Sequence, residues 1–266
     1  MKKFWMVLVL VLILALATGS AAETLKVGME CNYAPFNWTQ TEASEDAVAL
    51  PVGGYADGYD VQIAKRIAAE LGMDLEIVKT EWDGLPLALT SGKIDAIIAG
   101  MSPTAERKMV IDFTEPYYAS DLVVVVLKDG PFAAAKALGD LSGAKITGQL
   151  NTFHYSVIEQ IPGVQKLTAL ETFPAMTVAL SSGRIDGYVS ERPGAVSAVA
   201  ANPNLSFTVF DEGQGFMVDP ADVTVAVGVQ KGSPLLEKIN VILAGISEDA
   251  RVQIMDAAVL RQPLNQ

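Results

Sequence analysis

Apolar positions recur along the first half of the chain with two different periods. Residues 25–29 alternate between apolar and polar, which predicts a short strand, and Pro35 interrupts the chain soon after it. From Asp60 the apolar residues follow helical spacing until Gly72, a typical helix stop. The remaining predicted elements of this half are a strand at 75–78, a helix at 85–90 and a continuous apolar strand at 94–99. They form a βαβαβ unit that contains a long polar loop over residues 39–58.

The second half repeats the same order of periods. Its predicted elements are a strand at 144–147, a helix at 153–160, a strand at 165–169, a helix at 173–180 and a strand at 185–190. Strands that alternate with helices are typical of a mostly parallel sheet covered by helices. The pattern therefore predicts an α/β protein with two similar halves.

One phrase is written almost identically in both halves. ALTSGKID occupies residues 88–95, and ALSSGRID occupies residues 179–186. In each copy the glycine, Gly92 or Gly183, is expected to end a helix at positive φ, and the isoleucine two positions later to enter the core. We interpret both copies as scaffold, with the basic residue and the aspartate at the surface. Their use is to mark equivalent strands.

The chain just beyond each marked strand carries the candidate chemistry, because ligands of parallel sheets gather at the carboxyl ends of the strands. After the first strand, Gly100 allows close approach to the main chain. Ser102 is predicted to cap a helix whose first residue is Pro103, and Arg107 offers two parallel N–H donors to a carboxylate. Glu191 follows the second strand. A cationic clamp opposite an acidic group suits a zwitterion.

The first 22 of the 266 residues are typical of a secretory signal peptide. Lys2 and Lys3 precede an apolar stretch over residues 4–17, and small residues end at Ala22, the predicted cleavage position. The stretch is shorter than the roughly 20 residues that span a bilayer. We expect an exported protein in the periplasm, or at the cell surface if it is tethered in another way.

The charge of the chain restricts its partners. The formal net charge is −12, and loss of the two lysines with the signal peptide would leave −14. A chain this acidic is not expected to bind nucleic acid or an anionic membrane through its overall charge.

Cysteine and histidine are too rare for the usual metal sites. Cys31 is the only cysteine and His154 the only histidine, which excludes an internal disulfide and a common zinc site. We predict no metal and no cofactor. His154 lies at the start of a predicted helix and is expected at the surface.

Four segments resemble the signature of the solute-binding proteins of polar amino-acid ABC importers. They are MECNYAPFNW at 29–38, GYDVQIAKRIAAELG at 58–72, AGMSPTAERKMVIDFTEPYY at 99–118 and KGS at 231–233. The resemblance extends over residues 24–260 in the family's order. It implies a periplasmic-binding-protein-like fold with two lobes, each a mostly parallel sheet flanked by helices, joined by two hinge crossings. Lobe 1 would comprise residues 23–118 and 223–266, and lobe 2 residues 119–222.

The resemblance also implies roles for single residues. Arg107 would bind the ligand α-carboxylate, assisted by the Ser102 hydroxyl and by a lobe 2 N–H near Thr152. Gln149 is a further predicted ligand-binding residue. The Gly100 carbonyl would accept from the α-ammonium, and Glu191 would pair with it. The family more often has aspartate at position 191 and glycine at position 151, where this chain has Asn151. Asparagine tolerates the backbone angles of glycine better than most residues do.

Recognition of the ligand side chain is implied at three further positions. Tyr33 and Trp82 match aromatic residues that sandwich the aliphatic stem, although Trp82 could instead be a core residue. Glu30 matches a position that faces the tip, although a surface carboxylate is the alternative. A buried carboxylate needs a partner, and a cationic tip beside aromatic faces would provide one. A basic amino acid such as lysine or arginine is the expected ligand, with glutamine or histidine as the alternative.

The implied function is capture of a free amino acid and delivery to the membrane permease of an ABC importer, by a protein expected to be monomeric. An enzyme is the alternative from another class. Some exported dehydratases of small cyclic acids resemble this family, and Glu30 and Glu191 could act as acid and base on prephenate or arogenate. A receptor sensor module is a third interpretation, disfavoured because no membrane span or signalling domain follows within the 266 residues.

Overall fold

The computed structural model describes residues 22–263. The predicted signal peptide falls outside the described residues, except for Ala22. Among residues 22–263 no helix combines the length and the apolar character that crossing a bilayer requires.

Strands and helices alternate along the chain. The strands are β1 (Thr24–Met29), β2 (Asn32–Tyr33), β3 (Asn37–Gln40), β4 (Val48–Ala49), β5 (Tyr55–Asp57), β6 (Asp74–Lys79), β7 (Ala96–Ile97), β8 (Asp112–Ala119), β9 (Leu122–Leu127), β10 (Lys145–Thr147), β11 (Gln165–Lys166), β12 (Gly187–Glu191), β13 (Leu205–Phe207) and β14 (Thr224–Val229). The α-helices are α1 (Tyr59–Leu71), α2 (Leu85–Thr90), α3 (Ala105–Lys108), α4 (Phe153–Ser156), α5 (Phe173–Ser181), α6 (Arg192–Ala201), α7 (Leu235–Ala244) and α8 (Glu248–Arg261). Short 3-10 helices occupy Trp82–Gly84, Leu138–Leu141 and Val157–Gln160.

Two five-stranded sheets of the same design form the two lobes. The first has the order β6-β1-β7-β14-β8 and the second the order β11-β10-β12-β9-β13. In each sheet only the fourth strand, β14 or β9, runs antiparallel to its neighbours. Each of these strands pairs in one lobe just after the chain has left the other, so the chain crosses between the lobes twice. The predicted two-lobed α/β fold is confirmed, and the residue numbers of the lobe boundaries stay a prediction.

The predicted and observed elements differ mainly where a buried apolar segment does not form a strand. Residues 94–99 were expected to form one strand, yet only Ala96–Ile97 pairs, and Ile94 is fully buried in the turn before it. The Ile94 N–H donates to the Ala88 carbonyl at the end of α2. Burial of this turn explains the apolar run. The helix predicted at 153–160 likewise divides into α4 and a 3-10 turn.

The polar segment 39–58 is not the loop that the sequence predicts. Its strands form a separate four-stranded sheet in the order β2-β3-β5-β4. Strands of two to four residues leave little periodicity to detect, and Trp38 and Ala56 supply its fully buried side chains. The segment is fixed to the helices, because Gln62 donates to the Asp46 carbonyl at 2.9 Å and Arg261 contacts Asp57 at 3.1 Å.

The duplicated phrase has the same structural role in both lobes. The Lys26 N–H donates to Asp95 Oδ2 at 2.9 Å, and the Lys145 N–H donates to Asp186 Oδ2 at 2.8 Å. In return each aspartate donates its own N–H to the carbonyl of that lysine, at 2.8 Å in both copies. The aspartates therefore join the helix end to β1 in one sheet and to β10 in the other, a more specific role than the surface position expected for them.

The glycine of the phrase provides a stability test. Gly183 has φ 71°, and an added Cβ would meet no atom within 4 Å, so only backbone strain opposes a side chain. Gly183→Ala is expected to cost about 1 kcal/mol, which lowers Tm by about 2–4 °C in thermal unfolding. Gly139→Ala is the matched control, because Gly139 is equally open and has no positive φ. An equal loss in both variants would contradict the assigned role.

Candidate ligand-binding site

Residues from both lobes line one small cavity where the carboxyl ends of the central strands face each other. It contains about 250 Å³ of space between the protein atoms, part of which is open to solvent. The lining residues are Tyr33, Trp82, Gly100, Ser102, Arg107, Gln149, Thr152, Phe153 and His154. Seven of the nine predicted site residues are in this set. Glu30 and Glu191 lie directly behind it, in contact with its lining residues.

A second space between the lobes is larger, about 550 Å³, and differs in chemistry. No charged side chain lines it, and its walls include Phe173, Tyr188 and Ala198. It offers no cationic partner for a carboxylate, whereas the smaller cavity holds Arg107.

Arg107 is a cation fixed between the lobes. Its Nη1 donates to the Ser102 carbonyl at 3.0 Å and its Nη2 to the Asn151 carbonyl at 3.2 Å. The guanidinium carbon lies 5.1 Å from the centre of the Trp82 ring, within the range of a cation–π contact. Burial lowers the pKa of Arg107, although a guanidinium stays charged at any physiological pH. The half-buried Trp82 therefore belongs to the cavity wall.

The helix predicted after Ser102 begins two residues later than expected. Thr104 is the N-cap of α3, and its Oγ1 accepts from the Arg107 N–H at 3.3 Å. The Thr104 N–H donates to the Ser102 carbonyl. The predicted anion-binding role of Arg107 stays a prediction, and α3 has only four residues.

Glu30 is a buried carboxylate and not the surface residue that was the alternative. Its side chain follows β1, is 3 % exposed and accepts from Gln149 Nε2 at 3.4 Å across the lobes. Burial raises its pKa to about 7, against the opposing hydrogen bond from Gln149. Gln149 also donates to the Glu171 carbonyl at 3.1 Å. A weakly held acidic group thus stands at one end of the cavity.

The sequence suggested a surface position for His154, and this prediction is wrong. It is 5 % exposed, and its Nε2 lies 2.8 Å from Glu191 Oε1. Tyr33 donates its hydroxyl to Glu191 Oε2. Burial acts to raise the pKa of Glu191, but the charge of His154 and the two side-chain contacts outweigh burial and hold it below the ordinary value. The position of His154 two residues after Thr152 was the available signal.

Two residues next to or in the cavity wall have positive φ. Gly100 has φ 62° and Asn151 has φ 56°, so asparagine does adopt the backbone angles expected for glycine at that position. A Cβ on Gly100 would lie 3.0 Å from the Tyr33 ring. Tyr33 also stacks on Phe36 and Phe173, with ring centres 5.0 and 4.3 Å away. Gly100 is therefore needed for both its angles and its lack of a side chain.

A buried network that the sequence did not predict fixes the loops of lobe 1. Asp60 accepts from the Tyr117 hydroxyl and from Asn37 Nδ2, both at 2.7 Å. Asn37 in turn accepts from the Cys31 N–H at 2.7 Å, and the Tyr117 hydroxyl accepts from the Gly100 N–H at 3.2 Å. Burial raises the pKa of Asp60 to about 6. The network holds the loops next to Glu30 and Gly100.

Metal chemistry has no visible basis at the site. Within residues 22–263, no three histidine, cysteine, aspartate or glutamate side chains are grouped in a way that could hold an ion.

Two lobes of equal design around a small cavity that contains a fixed arginine are typical of a two-lobed solute-binding protein. The profile of the bacterial extracellular solute-binding proteins, family 3, matches residues 25–258. The chain belongs to this family, which confirms the resemblance found in its motifs. Family members bind solutes for transport and are not enzymes.

Relatives of known assignment extend over most of the chain. A probable histidine-binding protein of Campylobacter jejuni is 35% identical over 195 residues, 73% of this chain and 70% of that protein. The arginine-binding protein 1 of an Escherichia coli ABC transporter is 29% identical, over 88% of this chain and 89% of that protein. A solved amino-acid ABC transporter substrate-binding protein of Streptococcus pneumoniae, bound to L-arginine, has a TM-score of 0.76 at 29% identity, over 89% of this chain and 94% of that one.

Proposed function

We propose that this chain captures a free basic amino acid, arginine or lysine, in the cleft between its lobes and delivers it to the membrane subunits of an ABC importer. The protein would act outside the cytoplasmic membrane, in the periplasm or at the cell surface, as a monomer. One observation carries the proposal: the cavity between the lobes has a fixed guanidinium, Arg107, in its wall and a buried carboxylate, Glu30, directly behind its wall.

The ligand carboxylate is assigned to Arg107. Its two donors now bind the carbonyls of Ser102 and Asn151, one from each lobe. A carboxylate would provide a stronger, charge-assisted acceptor for the same planar fork. The ligand would then join the lobes through Arg107, which is what closure on a solute requires.

The ligand tip is assigned to Glu30. Its 3.4 Å contact with Gln149 is long for a hydrogen bond, so the ionised carboxylate is poorly compensated. A guanidinium or ammonium would remove that cost, and Trp82 provides an aromatic face in the same wall. The arginine named for several relatives supports this chemistry. Glutamine or histidine is the second candidate, because Gln149 offers an amide at the same place and one relative carries a histidine assignment.

Calorimetric titration with the twenty amino acids tests the proposal. Arginine and lysine are expected to bind most tightly, and glutamate to show no binding. Two arginine analogues separate the contacts: norvaline keeps the zwitterion without the cationic tip, and agmatine keeps the tip without the carboxylate. Both are expected to lose at least about tenfold in affinity. Tight binding of glutamate without arginine or lysine would contradict the assignment, and preference for glutamine or histidine would establish the second candidate.

A further inference from the structure

A further contact between the lobes lies at the C-terminal end of α8. Gln262 follows this helix, which packs against α1 of lobe 1, and Ser197 lies in α6, which follows β12 of the second sheet. The Ser197 hydroxyl donates to Gln262 Oε1, and Gln262 Nε2 donates to the Ser197 carbonyl at 3.4 Å. Both residues are buried, and neither lines the cavity that contains Arg107. We call Ser197 and Gln262 the interlobe pair.

The residues next to Gln262 fix its position. Pro263 cannot continue a helix, and it biases the residue before it towards extended backbone. Gln262 accordingly has ψ 145° and follows the last residue of α8. That residue, Arg261, binds Asp57 through Nε and Nη2, at 3.1 Å each, and contacts Asp46 at 3.3 Å. The end of α8 is therefore fixed to the four-stranded sheet of lobe 1, and Gln262 extends from it to lobe 2.

The interlobe pair lies away from the crossing between the lobes. The Arg192 N–H at the start of α6 donates at 3.0 Å to the carbonyl of Asp121, which lies between β8 and β9 where the chain first crosses. Ser197 is five residues further along α6, at a distance of about 7.5 Å. Hydrogen bonds are lost beyond about 3.5 Å, so a relative shift of roughly 2 Å separates the pair. Rotation of the lobes about the crossing would produce such a shift.

The pair forms in the arrangement in which residues of both lobes line the cavity. In the same arrangement Arg107 binds the Asn151 carbonyl and Gln149 binds Glu30, both across the lobes. The second space between the lobes has Ser197 and Gln262 in its wall. Contacts between the lobes are thus present both at the cavity and at this second space.

We propose that Ser197 and Gln262 are positioning residues for ligand retention: their pairing stabilises the closed arrangement of the lobes around the bound ligand and slows its release. The proposal rests on the proposed amino-acid function. In an open arrangement water would hydrate both side chains, whereas closure buries them and makes each the partner of the other. Because neither residue lines the cavity, the effect would be the same for every ligand that the closed cleft holds.

Ser197→Ala is expected to raise Kd about tenfold for L-arginine and by the same factor for L-lysine, because the Gln262 amide loses a partner only in the closed form. Stopped-flow measurements are expected to assign the change to faster dissociation, with the association rate constant within about twofold of the natural value. Gln262→Ala is expected to act in the same way. The double variant is expected to lose no more than either single variant, since all three lack the same pair.

Two control variants show whether the hydroxyl is the cause. Ser197→Thr keeps the hydroxyl, and its methyl group has room in the second space that Ser197 lines, so Kd is expected within about twofold of the natural value. Ser156→Ala removes an exposed serine of α4 and is expected to leave Kd equally unchanged. Thermal unfolding of each variant measures its stability separately from its affinity.

Three binding results would overturn the proposal. Kd values and dissociation rates within about twofold of the natural protein in both single variants would give the pair a purely structural role, whatever their Tm. Tighter binding would place the pair in the open arrangement. A loss for L-arginine without an equal loss for L-lysine would assign the pair to recognition of the ligand side chain. A preference for glutamine or histidine leaves the comparison unchanged, with these two amino acids as the probes.

A measurement without ligand separates this proposal from the proposed function. Spin labels at Leu87→Cys in α2 and Val178→Cys in α5, both exposed positions, report the distance between the lobes. Cys31 does not compete for the label, because it is fully buried and burial raises the pKa of its thiol to about 12. Ser197→Ala is expected to reduce the share of free molecules at the distance of the closed arrangement.

The outcomes of the two measurements are distinguishable. Failure of every amino acid to bind the natural protein overturns the proposed function, and the spin-label distances then still decide whether the interlobe pair stabilises the closed arrangement. Identical distance distributions in the free natural protein and in Ser197→Ala, together with unchanged dissociation rates where ligand binds, overturn the pair and leave the proposed function intact.

Discussion

Replacement of Arg107 by alanine is expected to abolish amino-acid binding, with an increase in Kd of at least about 100-fold for L-arginine in calorimetric titration. The variant leaves the ligand carboxylate without its charged partner in a closed cleft, and truncation of one member of such a pair costs roughly 2–5 kcal/mol. The same two donors now bind the Ser102 and Asn151 carbonyls, which the ligand carboxylate would replace, so the lost carboxylate contact alone accounts for the expected effect.

Two variants show whether the loss is specific to the guanidinium. Arg107→Lys keeps the charge without the bidentate geometry and is expected to lie between the natural protein and Arg107→Ala. Lys108→Ala removes one positive charge at the adjacent, exposed position and is expected to change Kd by less than about twofold. Arg107→Ala with Kd within about threefold of the natural protein would show that the carboxylate binds elsewhere.

Glu30→Gln is expected to stabilise the free protein above neutral pH and to weaken the binding of basic ligands. Burial raises the pKa of Glu30 from 4.5 to about 7, so the fold favours the protonated carboxyl. Its contribution is most favourable below about pH 4.5 and is lost as the pH rises to about 7. Above that range the ionised group costs up to roughly 3 kcal/mol, which the neutral amide avoids. Urea unfolding at pH 4 and pH 8 measures the difference.

The matching binding result distinguishes a recognition role from a purely structural one. Glu30→Gln is expected to lower the affinity for L-arginine at least about tenfold while the affinity for norvaline changes little. Glu70→Gln, an exposed position on α1, is the control for loss of one negative charge. The pKa of Asp60 is raised to about 6, so Asp60 contributes a smaller decrease of the unfolding free energy with rising pH in every variant. Unfolding free energies of Glu30→Gln with the same pH dependence as the natural protein would contradict the account.

Most helices and strands could be predicted from short stretches of sequence, because apolar periodicity and glycine stops act within those stretches. The apolar period over residues 60–72 predicts α1, and the observed helix Tyr59–Leu71 ends where Gly72 adopts φ 68°. The duplicated phrase marked two equivalent helix ends for the same reason. Prediction failed where a buried apolar residue lies outside a strand, as Ile94 does in the turn before β7. It also failed where strands are too short to show a period, as in β4 and β5.

The candidate site was predicted as a set of residues and not as a set of contacts. Gly100, Arg107 and Glu191 follow from their places after marked strands and from the resemblance. The motifs did not reveal that Glu191 is occupied by His154 and Tyr33, because the Tyr33 contact joins residues 158 positions apart. Nor could they reveal the burial of Asp60, which in the sequence looks like an ordinary acidic residue in the first turn of a helix.

By itself the sequence determined the α/β class, the duplication, the family and most residues that line the cavity, since periodicity, glycine stops and motif spacing are local properties of the chain. Tertiary structure alone decided which charges face each other. It set Glu30 against Gln149 over 119 positions and His154 against Glu191. Burial raises the pKa of Glu30, whereas the contacts of Glu191 outweigh its burial and hold its pKa below the ordinary value. The free-energy cost of burying a charge depends on the groups that lie next to it. Those neighbours are set by the whole folded chain and not by any single segment.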